Sequence, residues 1–90
     1  MPRRAAKVDL NQKEIVKHFR SLGATVAHTH MIGQGYPDIT VGYRGTNYMV
    51  EIKTDESSTL TKDEKVFHDA WRGTIHIIRS KIDSEEMLFG

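Results

Sequence analysis

A chain of 90 residues, 38% hydrophobic and 28% charged, has room for one modest core but not for a catalytic domain beside a separate recognition domain. It has no cysteine, which excludes a disulfide scaffold, a thiolate zinc site and a thiol nucleophile, and no apolar run approaches the roughly 18 residues of a membrane span. A net charge of +1 is too small to hold nucleic acid by charge alone, although local clusters (Arg3, Arg4 and Lys7; Lys13, Lys17 and Arg20) can serve, and a bound divalent ion adds positive charge that the count omits.

Residues 1–9 are basic with no apolar run behind them, which predicts a loose N-terminal arm rather than a signal peptide. The default location is then the cytoplasm, that of a host cell if the chain is phage-encoded. Residues 10–90 read as a single domain, with no repeat, low-complexity tract or linker.

From Asn11 the pattern is helical: Ile15, Phe19 and Leu22 recur at i, i+4, i+7, Val16 widens the stripe, and Gly23 is placed to stop it. Asn11 with Glu14 has the spacing of a capping box. Ala24 to His30 alternates as a first strand, with His28 and His30 on one face, and "MIGQGYP" is a loop that brings two glycines and a proline. Ile39 to Tyr43 and Asn47 to Lys53 predict two strands joined by a turn at "RGT". "TDESSTL" is a polar, mobile connection. Thr61 and Glu64 then repeat the capping-box spacing, and Val66, Phe67, Ala70 and Trp71 form an apolar stripe expected to pack in the core of a helix running to about Arg72. "TIHIIRS" reads as a buried strand and "DSEEMLF" as a short terminal helix. The last crossover would lay Ile75 to Arg79 parallel to Asn47 to Lys53, with a right-handed connection favoured. The expected fold class is α/β: a small mixed sheet flanked by helices.

Strand alternation places Glu51 and Lys53 on one face, roughly 7 Å apart at their α-carbons, with Val50 and Ile52 on the other. A hairpin paired around Arg44 to Thr46 would bring Asp38 level with that end of the partner strand. Carboxylates suit hard divalent ions such as magnesium and manganese, and such an ion beside a lysine is the equipment of phosphodiester hydrolysis. An ordinary ion pair on a half-solvated strand, with Asp38 favouring a turn after Pro37, fits the same spacing equally well.

The order Pro37-Asp38, hairpin, Glu51-Ile52-Lys53 resembles the signature of the PD-(D/E)XK nuclease superfamily. "GQGYPD", "VEIKT" and "LTKDEKVFHDAW" are similar to its VRR-NUC family, particularly the minimal single-domain phage and bacterial members, over roughly Leu10 to Ser80. The resemblance implies a restriction-endonuclease-like αβββαβ core. It implies that Asp38 and Glu51 bind a divalent Mg2+ or Mn2+, that the backbone carbonyl of Ile52 completes the set, and that Lys53 is the catalytic lysine. It also assigns a metal-linked role to an acid on the first helix, for which Glu14 is the matching candidate, with capping as its competing duty. Relatives typically carry proline after Leu60-Thr61 and glutamine at the fourth helical position, where this chain has Lys62 and Glu64, which puts any substrate contact of that amide in doubt.

Gln34 matches a position of the family loop and, with Lys13 and Lys17, is a candidate for substrate contact. Tyr36 suits loop packing or base stacking. Paired histidines at His28 and His30 are weak evidence for a metal. Minimal VRR-NUC proteins are similar to Holliday-junction resolvases acting as homodimers, so the resemblance implies branched DNA as the partner and a two-fold pair of active sites. Flap, single-strand or nick-directed cleavage is the nearest alternative, and a non-catalytic DNA-binding module the alternative of another class.

Overall fold

The computed structural model describes residues 2–54 and 57–90, with side chains from Asn11 onward. The middle of the polar connection, residues 55 and 56, lies outside that description, as do the side chains of Arg3, Arg4 and Lys7.

Helix α1 spans Pro2–Ser21. Proline suits a first helical position, and no further proline or glycine occurs before Gly23, so nothing in the sequence forces the helix to wait for Asn11. The stretch expected as a loose arm is therefore the first part of α1. Asn11 is an interior helical residue rather than a cap, and its Nδ2 donates to the carbonyl oxygen of Lys53 at 3.2 Å. The apolar stripe behaves as its spacing requires: Ile15, Val16 and Phe19 are buried.

Strand β1 (Thr25–His28) is shorter than expected, because the chain turns into a single 3-10 turn over His30–Ile32. His28 and His30 consequently do not share a strand face. Strands β2 (Ile39–Tyr43) and β3 (Thr46–Ile52) form the anticipated hairpin, with Tyr43 opposite Thr46 and Ile39 opposite Val50. Arg44 and Gly45 make its two-residue turn with φ of 50° and 82°, the pair of left-handed positions that matches the twist of the flanking strands. Helix α2 (Lys62–Ala70), strand β4 (Ile75–Ile78) and helix α3 (Lys81–Phe89) complete the chain. The sheet order is β1-β2-β3-β4; β1, β2 and β3 are antiparallel, and β4 runs parallel to β3.

One face of this sheet makes the core. Ile39, Val41, Val50, Ile52 and Ile78 are buried with Ile15, Val16 and Phe19 of α1. The other face of β3 carries Glu51 and Lys53, and α2 covers them through Glu64 and His68. Because that face is charged, α2 turns polar residues toward the sheet, and its apolar stripe is left to the side. No residue of α2 is buried, Val66 is 62% exposed and Trp71, which ends the helix as its C-cap, is 41% exposed. The expectation that Phe67 and Trp71 pack in the core is corrected accordingly: Phe67 is half-buried, and Trp71 lies stacked upon it.

The loop before β2 holds α2 in place by backbone contact. Gly35 adopts φ +82°, and a Cβ there would sit 2.3 Å from the carbonyl oxygen of Asp63, in the first turn of α2. A Gly35→Ala substitution should therefore both strain the loop and push the helix start away, lowering stability by about 1–3 kcal/mol. Chemical denaturation checks this, and a variant as stable as the parent would show that the close approach is not obligatory.

Candidate active site

Asp38 lies just before β2, at the point where the β2–β3 ladder runs out. Its backbone carbonyl accepts from the amides of Thr29 (2.9 Å) and His30 (3.0 Å), and its Oδ2 accepts from the Ile52 amide at 2.8 Å. The carboxylate thus replaces the backbone acceptor that the next ladder position lacks. Pro37, fully buried, fixes the approach, and its carbonyl accepts from the Thr29 hydroxyl at 2.9 Å. The Ile39–Val50 register sets Asp38 beside Glu51, as the hairpin geometry anticipates.

Glu51 is 1% exposed. Its Oε1 has no hydrogen-bond partner, and the same holds for Nε2 of His68, 3.7 Å away on α2. Burial, and then the neighbouring carboxylates of Asp38 and Glu64, push the Glu51 carboxyl up to about 10. Lys53 Nζ stands 4.0 Å from Glu51 Oε2 and 2.6 Å from Glu64 Oε1. That same Glu64 oxygen accepts from the Thr61 amide at 2.9 Å, while the Thr61 hydroxyl accepts from the Glu64 amide at 3.2 Å. The second capping box is therefore present, and its acid also holds the lysine. Burial alone would raise Glu64, but the Lys53 ammonium and the Thr61 amide outweigh it and keep its carboxyl below the usual range.

No family model matches the sequence, and no curated protein does either. Among solved structures, the chain is similar to one described as "VRR_NUC domain", with a TM-score of 0.73 and 25% identity over 93% of this chain and 98% of that one. The chain has the VRR-NUC fold.

In this fold Asp38, Glu51 and Lys53 converge at one end of the sheet, with the Ile52 amide tied to Asp38. Glu14 does not join them. It is 62% exposed and faces Lys81 of α3 at 3.7 Å, in a groove with Lys17 and His18, and it caps nothing because α1 begins before Asn11. Lys13 lines a cleft with Gln12, His28 and His30, while Lys17, one turn further along α1, lines the Glu14 groove. Gln34 is exposed on the loop with φ 58°. Among the described residues no group of three or more His, Asp or Glu side chains is arranged to grip a metal ion.

Two contributors lack a clear sequence signal. Asn11 looks like a cap until the helix is seen to extend past it. His68 is one turn beyond Glu64, and only this i, i+4 polar pair, set beside an apolar stripe, marks the face that α2 turns inward.

The raised Glu51 carboxyl sets a pH dependence. From the ordinary 4.5 up to about 10 the folded chain holds a proton that the unfolded chain releases. Glu51's contribution to stability is thus full below about pH 4.5 and is lost as pH rises toward 10. Glu64, held low, affects stability only below the ordinary carboxylate range. In chelator, thermal melts should show the melting temperature falling from mildly acid to alkaline buffer, and Glu51→Gln, uncharged throughout, should flatten that slope. An equal slope in both proteins would remove Glu51 as its source.

Proposed function

We propose that this VRR-NUC domain is a divalent-metal-dependent endonuclease that hydrolyses DNA phosphodiester bonds. The observation that carries this reading is the meeting of Asp38, Glu51 and Lys53 at one sheet end, in a fold shared with a solved domain whose name marks it as a nuclease.

The donor set suits Mg2+ or Mn2+. Hard cations take carboxylate oxygens, and here a buried carboxylate has an unpartnered oxygen and carboxylate neighbours that disfavour its charge. Asp38 and Glu51 would hold the ion, with the Ile52 carbonyl as a third donor. When bound, such an ion polarises the phosphodiester and lowers the pKa of its water. Glu51 must exchange its proton for the cation, so loading near neutral pH releases protons. Lys53 contributes a charged donor for the phosphate oxygens, on which negative charge grows during attack, and orients the incoming water. Glu64 supports this by keeping the Lys53 ammonium in the site. Where relatives carry glutamine, this carboxylate is turned to the lysine and to the cap of α2 rather than left to repel DNA phosphate. Glu14, paired with Lys81, has no part in the scheme.

A compact domain of this kind is suited to DNA shape, read through phosphate contacts. The specific substrate proposed is a branched DNA such as a Holliday junction, cut by a homodimer that supplies two active sites.

Incubation with four-way junction, flap, nicked, single-stranded and duplex DNA, each with Mg2+, with Mn2+ and with chelator, tests the reading. Metal-dependent products, strongest on the junction, are expected; no product on any substrate would favour a non-catalytic DNA-binding module. Lys53→Ala should keep metal binding and lose cleavage about 100–1000-fold. Asp38→Ala and Glu51→Ala should lose both. Calorimetry in buffers of different ionisation enthalpy should record proton release on Mg2+ binding by the parent chain and not by Glu51→Gln.

A further inference from the structure

Beside the Glu51 cluster the described residues carry an aromatic stack that the hydrolytic scheme leaves unused. Phe67 and Trp71, one turn apart on α2 and its C-cap, lie with ring centroids 5.2 Å apart and planes 15° from parallel. Tyr36 meets Phe67 edge-on at 5.3 Å. The stack is fixed. The Trp71 amide donates to the Phe67 carbonyl at 3.0 Å, and the indole Nε1 edge lies so close to Gly73 that a Cβ there would be 2.9 Å from it. Trp71 nevertheless remains 41% exposed.

We infer that Trp71, backed by Phe67 and Tyr36, is a stacking platform for an unpaired base of the DNA whose phosphate occupies the Asp38–Glu51–Lys53 site. The inference rests on the nuclease reading and adds to it a substrate class: DNA with an unpaired or frayed nucleotide next to the cut.

Continuity with the site selects this occupant. Phe67 precedes His68, whose ring lies 3.7 Å from Glu51, and Tyr36 stands two residues before Asp38 on the loop that Gly35 presses against α2. Both ends of the stack therefore start from neighbours of the site, and a base flanking a phosphate held there falls alongside the rings. Arg72, exposed, follows Trp71 directly, while the other exposed charges of α2 are mixed, Lys62 and Lys65 with Asp63 and Asp69. An exposed, fixed aromatic face is what an unpaired base stacks on, whatever its identity. The ring pair is also preorganised, so little side-chain freedom is lost on stacking.

Trp71 is the chain's one tryptophan, so its emission reports on the platform alone. The full chain is titrated in chelator, where cleavage does not interfere, with short oligo(dT) and with a fully paired duplex of equal length, while anisotropy of labelled DNA follows binding. Oligo(dT) should quench Trp71 and the duplex should not. Trp71→Ala should weaken oligo(dT) binding about five- to a hundredfold, as loss of one base–aromatic stack requires, and Trp71→Phe should restore most of it. Circular dichroism melts confirm that the variants fold. Three results overturn the platform: oligo(dT) binding with unchanged emission, no oligo(dT) binding, or an emission shift that follows protein concentration without DNA, which would mean that a second copy covers Trp71. Failure of the nuclease reading shows separately, as absence of metal-dependent products from the parent chain.

Discussion

The structure is organised around the burial of one carboxylate. Glu51 lies on a central strand with its side chain withdrawn from solvent, and a charge in that position is costly unless it is neutralised or paired. Three partners approach without discharging the cost. Lys53 is close but engaged with Glu64, His68 stops short of hydrogen-bonding distance, and Asp38 adds a like charge. The outcome is a carboxyl that keeps its proton well above the usual range. Nothing in the apolar core requires such an arrangement, because Val50 and Ile52 on the opposite face already tie β3 to α1. A group kept at an energetic disadvantage while the rest of the fold is well satisfied is a mark of a site built for a ligand.

Helix α2 is the second consequence. A sheet face bearing Glu51 and Lys53 cannot accept an apolar helix face, so α2 lies on it through Glu64 and His68 and borrows little from the core for its stability. Its anchors are local: the reciprocal cap between Thr61 and Glu64, the ion pair to Lys53, and the backbone approach of Gly35 to Asp63. A single acid therefore serves both the helix terminus and the lysine. The start of α2 and the position of the Lys53 ammonium are mechanically linked, so a change in one is transmitted to the other.

The same choice of inward face explains why aromatic rings stand at the edge of the site. With Glu64 and His68 turned inward, Phe67 and Trp71 are carried to the flank, where they stack on one another and Phe67 meets Tyr36 edge-on. The polar pair that faces the sheet and the aromatic pair beside it thus come from neighbouring positions of one short helix and its C-cap.

Much of this was legible in the residues themselves, and the division follows the range of the forces involved. The order of elements, the two-residue turn at Arg44 and Gly45, the placement of Glu51 and Lys53 on one strand face and the capping box at Thr61 all depend on neighbours within a few positions. Periodicity and turn chemistry express such neighbours directly. The remainder depended on which faces of distant elements meet. Asn11 has the form of a cap and instead bonds to Lys53 from the interior of α1; Glu14 fits a family position and instead faces Lys81. The stripe of Val66, Phe67 and Trp71 has core spacing and stays outside, because the sheet surface opposite α2 is charged. The sequence by itself determined the strands that bring Asp38, Glu51 and Lys53 together. Only the tertiary structure decided that Glu64 and His68 close over them, because a helix selects its inward face by what the opposing surface can accept.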